Sequence, residues 1–447
     1  MTELPKGWAL TTVGEAMSVA YGKSLEQGLR TDDGRYQYVG SGGRIAATDE
    51  RLTFGETIVV GRKGTAGSVQ RFPQGCWPSD TTFFVEVPDG LSAALIEHQL
   101  RSAQLAQHDR STALPGLGRL DLEATSLMVP PLAEQERIVT AIEEAFSKLR
   151  AGEAGLRTVR QLLKRMREAI LTAAVTGRLV PQDPTDTPAA KLLADLGVEA
   201  AEPEGFPELP PSWSWAELGV IAEVVGGVTK DSKRQSDPSF VEVPYLRVAN
   251  VQRGFLDLET ITTIRVAPEK AAQLELQPGD VLFNEGGDRD KLGRGWVWDG
   301  QISSCIHQNH VFRARLSGGV EPKLVSIWGN TFGRGWFEDR GKQTTNLASL
   351  NLKTLKAFPV PIAPVEEQPR ILAEVERQMS FLDACERAVD VGLARAAGLR
   401  RSVLKAAFEG RLVPQDPSDE PATVLLERIR AERSVQSVTK RRARQSA

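Results

Sequence analysis

The sequence predicts an α+β fold: two related, strand-rich domains with pseudo-twofold symmetry, separated by two long helices that form an antiparallel coiled coil. Three observations predict it. An eight-residue phrase occurs twice, each occurrence closes a long heptad-patterned stretch, and each stretch follows a region of short β-branched runs punctuated by Gly and Pro.

The repeated phrase is GRLVPQDP, at Gly177–Pro184 and again at Gly410–Pro417, an offset of 233 residues. The same offset aligns Glu134-Gln135 with Glu367-Gln368 and Ser111-Thr112 with Thr344-Thr345. Upstream the duplication is looser. Trp8 of LPKGW aligns with Trp213 of LPPSW at 205, Phe54 of FGETIVV with Pro278 of PGDVLFN at 224, and Cys76 with Cys305 at 229. A drift from 205 to 233 adds 28 residues to the second copy. Loops absorb insertions while scaffolds keep their lengths, so the expectation is one frame carrying two different sets of loops.

Residues 1–131 read as the first strand-rich domain, with strands near Ile58–Val60 and Thr82–Val87 and a helix over Ser92–His108. Pro130-Pro131 closes it. Residues 132–177 form the first long helix. Its seam runs through Ile138, Ile142, Leu149, Leu156 and Leu163, with steps filled by Ala145, Gly152, Val159, Met166 and Ile170. Alternating steps of four and three residues are a coiled-coil pattern. Residues 178–208 are a Pro- and acid-rich linker with a short helix near Ala189–Leu196, and 209–364 repeat the strand-rich domain. The second long helix, 365–410, has a weaker seam of Ile371, Val375, Leu382, Val389 and Leu399, interrupted by Gln378. Gly177 and Gly410 stop the helices, as glycine does just past a helix end. The tail, 411–447, repeats the linker with a short helix at Ala422–Arg430 and is expected to fold back toward the N-terminus and end in a disordered basic stretch, Lys440–Arg444.

The chain has 447 residues, 25% charged and 41% apolar, with a net charge of −3. No apolar run reaches the ~18 residues of a membrane span, and the first residues lack a signal-peptide pattern. Three scattered cysteines suit a reducing cytoplasm. The charge counts weakly against nucleic acid as a partner, although local patches decide binding. No phosphate loop, amino-methyltransferase motif or nuclease cluster is present, and Cys305, His307 and His310 are too few for a zinc site. The expectation is a chain without catalytic residues, metal or bound cofactor.

The polar loops are richer. In the first domain Lys23, Ser41, Arg44, Arg62, Lys63, Arg71 and Asp80 lie on or beside glycine-rich turns. In the second, Lys230, Arg247, Asn250, Asn284, Glu285, Asp288, Arg289, Lys291, Arg294, His307, Gln308 and Asn309 do so. Arg bonds the guanine edge, Asn and Gln pair with adenine, Asp and Glu accept from cytosine, and Lys holds phosphates, so these are candidate DNA contacts.

The phrases FGETIVVGRKGTAG and PGDVLFNEGGDRDKLG, the domain ends VPPLAEQERI and VPIAPVEEQPRI, and the helix ends AILTAAVTGRLVPQD and VLKAAFEGRLVPQD resemble the specificity subunits of type I restriction–modification enzymes. Pro369 departs from the first copy, where Glu136 stands, at a helix start that tolerates proline. The resemblance implies a subunit that addresses a bipartite stretch of double-stranded DNA, one domain per half-site. It implies two methyltransferase (M) subunits using S-adenosylmethionine on adenine, and motor–nuclease (R) subunits using ATP and magnesium. About 43 helical residues give ~64 Å of spine, enough to act as a ruler between half-sites ~34 Å apart. Two other readings stay open: a chain that itself cuts or methylates DNA, and a coiled-coil scaffold bearing two protein-binding domains.

Overall fold

The computed structural model describes residues 4–105, 116–231, 235–287, 292–340, 342–343 and 348–445. The chain divides into two compact units, 1–156 with 391–447, and 157–390. The boundary cuts through both long helices, Leu132–Val175 and Glu367–Phe408. The sequence reading gives the helices segments of their own. The packing divides each of them, because each half-helix buries its apolar face against the strand domain of its own unit.

In the first unit a four-stranded antiparallel sheet has the order Ala20–Tyr21, Thr82–Glu86, Thr57–Gly61, Val69–Phe72. Thr57–Gly61 is buried along its whole length, which is why it reads as a continuous β-branched run without polar alternation. A three-stranded sheet joins Gly43–Thr48 and Tyr36–Gly40 antiparallel and adds Trp77–Pro78 in parallel. Ser92 caps the helix Ala93–Ser102 by accepting from the Leu95 N–H at 3.3 Å, and Leu95, Ile96 and Leu100 face inward. The helix is shorter than Ser92–His108; residues 106–115 lie outside the described set. The core gathers Val13, Met17, Ile58, Val60, Phe83, Val85 and Leu122, and Leu425, Leu426 and Ile429 of the tail complete it. The Ala422 N–H donates to the Gly7 carbonyl at 2.9 Å, and Arg433 donates to the carbonyls of Gly14 and Glu15. The tail helix runs Ala422–Gln445, where the sequence reading has helix only to Arg430 and a disordered end. The segment from Glu427 to Gln445 contains neither Gly nor Pro, so no local signal stops it.

The second unit repeats these sheets strand for strand. Its four-stranded sheet has the order Ala222–Gly226, Val311–Leu316, Val281–Asn284, Gly295–Val297. Its three-stranded sheet joins Thr262–Val266, Val241–Leu246 and Ile306–His307, again with one parallel pair. Val60 pairs with Phe83, and Phe283 with Phe312. Since Phe83 and Phe312 are equivalent at the Cys76/Cys305 offset of 229, the central strands align at 223, one less than the turn phrases suggest. The turn before the strand differs in length by one residue, and strand pairing overrides it because a one-residue slip would turn the buried face outward. Part of the extra length of the second copy is the hairpin Val251–Leu256, inserted where the first copy has the tight turn after Gly40.

The long helices pair antiparallel within each unit. In the first, Glu153 meets Arg400 at 2.9 Å, Arg400 lies over Phe146 at 5.9 Å, and Leu156 packs on Gly392. Ile138, Ile142 and Ala407 close a buried cluster there. In the second, Arg167 meets Asp383 at 2.5 Å, Arg160 meets Asp390, and Ala174, Ile371 and Val375 are buried together. Leu163, Leu382 and Val389 are buried, and Leu149 and Leu156 are half-buried. Leu399 departs from the seam and is exposed, with Ala396 buried in its place.

The duplicated residues are the clamps of this frame. The Trp8 indole N–H donates to Glu134 at 3.0 Å, and that of Trp213 to Glu367 at 2.9 Å. The Gln135 amide donates to the Pro130 carbonyl and that of Gln368 to the Ala363 carbonyl, each at 3.0 Å. Arg137 pairs with Asp419, and Arg370 with Asp186. Gly177 and Gly410 sit at φ +68 and +65, a left-handed conformation in which a Cβ would strike Pro210 or Pro5 at 2.4 Å. No described helix is long and apolar enough to cross a membrane.

Candidate nucleic-acid interface

In the first unit, four turns meet at one end of the two sheets. The Arg62 and Lys63 N–H groups donate to the Thr81 carbonyl at 2.9 and 3.2 Å, and the Lys23 N–H donates to the Pro78 carbonyl at 2.8 Å. The Ser41 N–H donates to the Thr81 hydroxyl at 3.3 Å, and the Arg62 guanidinium to the Asp80 carbonyl at 2.9 Å. Lys23, Arg62, Lys63 and Asp80 are thereby gathered on one surface, with the Lys23, Lys63 and Asp80 side chains exposed. Ser41 belongs to the same cluster but is buried, its carbonyl accepting from the Ser68 hydroxyl at 2.5 Å, and it serves as a rivet between turns. Arg44 is exposed on Gly43–Thr48 and is turned toward the Asp32 carbonyl. Arg71 stands apart, its guanidinium shared between Glu56 and Glu97 at 3.2 Å each. Its charge is matched by the protein, which argues against a role with phosphate.

The second unit assembles the same turns. The Val228 N–H donates to the His307 carbonyl at 2.9 Å, the Gln308 N–H to Leu246 at 2.8 Å and the Glu285 N–H to His310 at 2.9 Å. Arg294 reaches the Val248 carbonyl at 3.2 Å. Arg247, Glu285, Arg294, Gln308 and Asn309 lie on these turns at half-buried positions, and Lys230 is exposed two residues beyond Val228. Asp288, Arg289 and Lys291 lie outside the described residues.

Three proposed readers prove to be internal. Asn250 is buried, accepts from the Arg247 N–H at 2.9 Å and donates to the carbonyls of Asp257 and Thr260 at 2.9 and 3.0 Å. Asn284 is buried and donates to the Val248 and Val251 carbonyls at 3.3 and 2.8 Å. Together they fasten the base of the inserted hairpin; an amide reads like a base-binding group in sequence because it carries both donor and acceptor wherever it stands. His307 is buried, bonded through Nδ1 to the Val311 carbonyl at 2.6 Å, and burial pushes its pKa down to about 4. Burial likewise pushes the Cys76 and Cys305 thiols up to about 12, making them inert packing groups. Among the described residues no group of three or more His, Cys, Asp or Glu is placed to hold a metal.

The sequence reading misses the aromatic neighbours in the first unit. In the first unit the exposed Tyr21 ring lies 5.3 Å from the Arg62 guanidinium and 6.0 Å from that of Arg119. The Trp77 indole N–H donates to the Lys23 carbonyl at 2.9 Å. In the second unit, His310 meets Glu285 at 2.6 Å. The signal was available: carrying the 205 offset on from Trp8 sets Tyr21 against Gly226, and the 229 offset sets Thr81 against His310.

Residues 5–154 match the family described as the type I restriction modification DNA specificity domain. The chain is 23% identical over 448 residues to the type I restriction enzyme EcoDI specificity subunit of Escherichia coli, covering 97% of this chain and 96% of that one. It is 27% identical over 320 residues to the EcoKI specificity subunit of E. coli K12, covering 69% and 64%. Its fold is shared, at TM-score 0.62 and 20% identity, by a chain from a study of complex assembly and conformational transition of the type I R-M system, covering 92% of this chain and all of that one. The HsdS subunit of Thermoanaerobacter tengcongensis aligns at TM-score 0.53 and 18% identity, covering 92% and 98%. The chain is similar to the specificity subunits of type I restriction enzymes, with the domain match confined to residues 5–154.

Proposed function

We propose that this chain reads a bipartite target in double-stranded DNA, one unit per half-site, and carries no catalytic centre. The observation that supports this best is the duplicated turn frame with unlike side chains. Backbone bonds repeat from unit to unit, while a cation- and aromatic-rich set in the first is replaced by an acid–imidazole and amide set in the second. Lys23, Arg62, Lys63 and Asp80, and Lys230, Arg247, Glu285, Arg294, Gln308 and Asn309, are the assigned contacts. Arg and Lys hold phosphates and guanine edges, and amides and carboxylates address adenine and cytosine. The long helices, of 44 and 42 residues, set the unread spacer. Two M subunits bring S-adenosylmethionine and methylate adenine. R subunits bring ATP- and magnesium-dependent restriction, and the assembly works in the cytoplasm. The net charge of −3 fits a division of labour in which partners supply part of the cationic surface.

The test is methylome sequencing of a host without other methyltransferases, carrying this chain with its M partner. N6-methyladenine at a split motif with a constant gap is the expected result. An intact complex with an active M subunit and no motif would favour the scaffold reading, with two protein-binding domains.

A further inference from the structure

The two turn frames can be superposed bond by bond, which makes side-chain equivalences definite. The Leu117 N–H donates to the Arg62 carbonyl at 2.9 Å and the Leu350 N–H to the Glu285 carbonyl at 2.7 Å, while Arg62 and Glu285 themselves donate to Thr81 and His310. Arg62 and Glu285 therefore occupy one backbone position with opposite charge. Tyr21 and Gly226 occupy another: Tyr21 pairs with Phe83 and Gly226 with Phe312. Arg119 stands where the second unit has Leu352, two residues beyond Leu117 and Leu350.

In the first unit these positions build one feature. Tyr21 rests on Phe83 with ring centroids 5.1 Å apart, yet is 48% exposed, so a large part of its ring and phenol faces outward. Arg62 and Arg119 approach the ring, Arg62 anchored by the Asp80 carbonyl and Arg119 by Glu123 at 2.7 Å. A guanidinium near a tyrosine face gains cation–π attraction, so the cluster is held in place before any ligand arrives. An exposed aromatic fixed among cations suits a polyanion with flat, polar-edged groups, which describes duplex DNA. The second unit puts glycine, glutamate and leucine at the same three places and cannot form this feature.

We infer that Tyr21 is a specificity-determining contact of the first unit, meeting a base-pair edge of one half-site while Arg62, bonded only to the neutral Asp80 carbonyl, neutralises a flanking phosphate. This rests on the DNA-addressing reading. The full chain, in complex with its M partner, is incubated with a randomised duplex DNA library, and the bound fraction is sequenced. Tyr21→Ala is expected to reduce preference about tenfold at one or two base pairs of one half of the split motif, leaving the other half unchanged. Arg62→Ala is expected to weaken binding to all sequences and make the salt dependence shallower by about one unit of slope. If Tyr21→Ala does not assemble, Tyr21→Leu keeps the packing on Phe83 and is read the same way. A wild-type motif left intact in both halves by the assembled variant, or weakened equally in both, overturns the inference alone. A wild-type complex that enriches no motif overturns the DNA-addressing reading and the inference with it.

Discussion

The two units share a skeleton but fill it differently, and the contrast separates what holds the fold from what the surface does. The clamps recur with little change: indole on carboxylate, amide on carbonyl and guanidinium on aspartate. Interiors diverge. At the position of Trp328 in the second unit, stacked with Phe332 at 4.5 Å and donating to the Pro359 carbonyl, the first unit has Gln99, bonded both ways to the Met128 backbone at 2.8 and 2.9 Å. Each side chain satisfies a buried strand edge, one with a large apolar body and one with an amide. The backbone bond pattern constrains the position, and the residue type is free so long as volume and polarity are met.

The largest effect that would sharpen this contrast lies at that pair. Trp328→Ala is expected to destabilise the second unit by about 3–5 kcal/mol through loss of a fully buried aromatic. Gln99→Ala, which orphans two backbone groups, should cost the first unit about 1–3 kcal/mol. Segment-resolved hydrogen exchange in denaturant would read each unit separately, and equal penalties would break the distinction.

Acid should also weaken the second unit. His307 is held neutral by burial, and the equivalent position in the first unit is Pro78, which does not titrate. Its folded pKa of about 4 lies below its ordinary value of 6.5. The unfolded chain therefore takes up a proton that the folded unit refuses, and the stability present above pH 6.5 is lost as pH falls toward 4. The loss reaches at most about 3 kcal/mol, and His307→Gln should flatten it. A pH profile of unit-resolved melting that shows the same slope with and without His307 would refute this account.

A smaller, symmetric effect is expected at the clamps. Trp8→Phe and Trp213→Phe each remove an indole donor from a buried carboxylate, Glu134 or Glu367, at about 1–3 kcal/mol. Urea titrations should give matching losses, and a clear mismatch would show that one clamp is dispensable. Smallest of all is Arg71→Ala, which breaks partly exposed pairs with Glu56 and Glu97 at about 0–1 kcal/mol. It should leave DNA preference untouched, and a changed motif would return Arg71 to the reading surface.

Much of the fold was legible because its signals are local and periodic. Heptads mark the helices within a few residues, Gly177 and Gly410 mark their ends, and the 233 offset aligns Glu134-Gln135 with Glu367-Gln368. The candidate surfaces were legible only in part. Glycine-rich turns point to loops that the fold gathers at one end of the sheets, but Asn250, Asn284 and His307 turn inward, and the neighbours of Tyr21 follow only from strand pairing.

The sequence by itself determined the duplicated architecture, the helix lengths and the positions of the clamp residues, since repetition, periodicity and chain-stopping glycines act at short range along the chain. Tertiary structure alone decided which polar residues face solvent, how the central strands align and which turns share one surface. Those outcomes depend on pairing between strands distant in sequence, where a register shift of one residue exchanges the buried face for the exposed one.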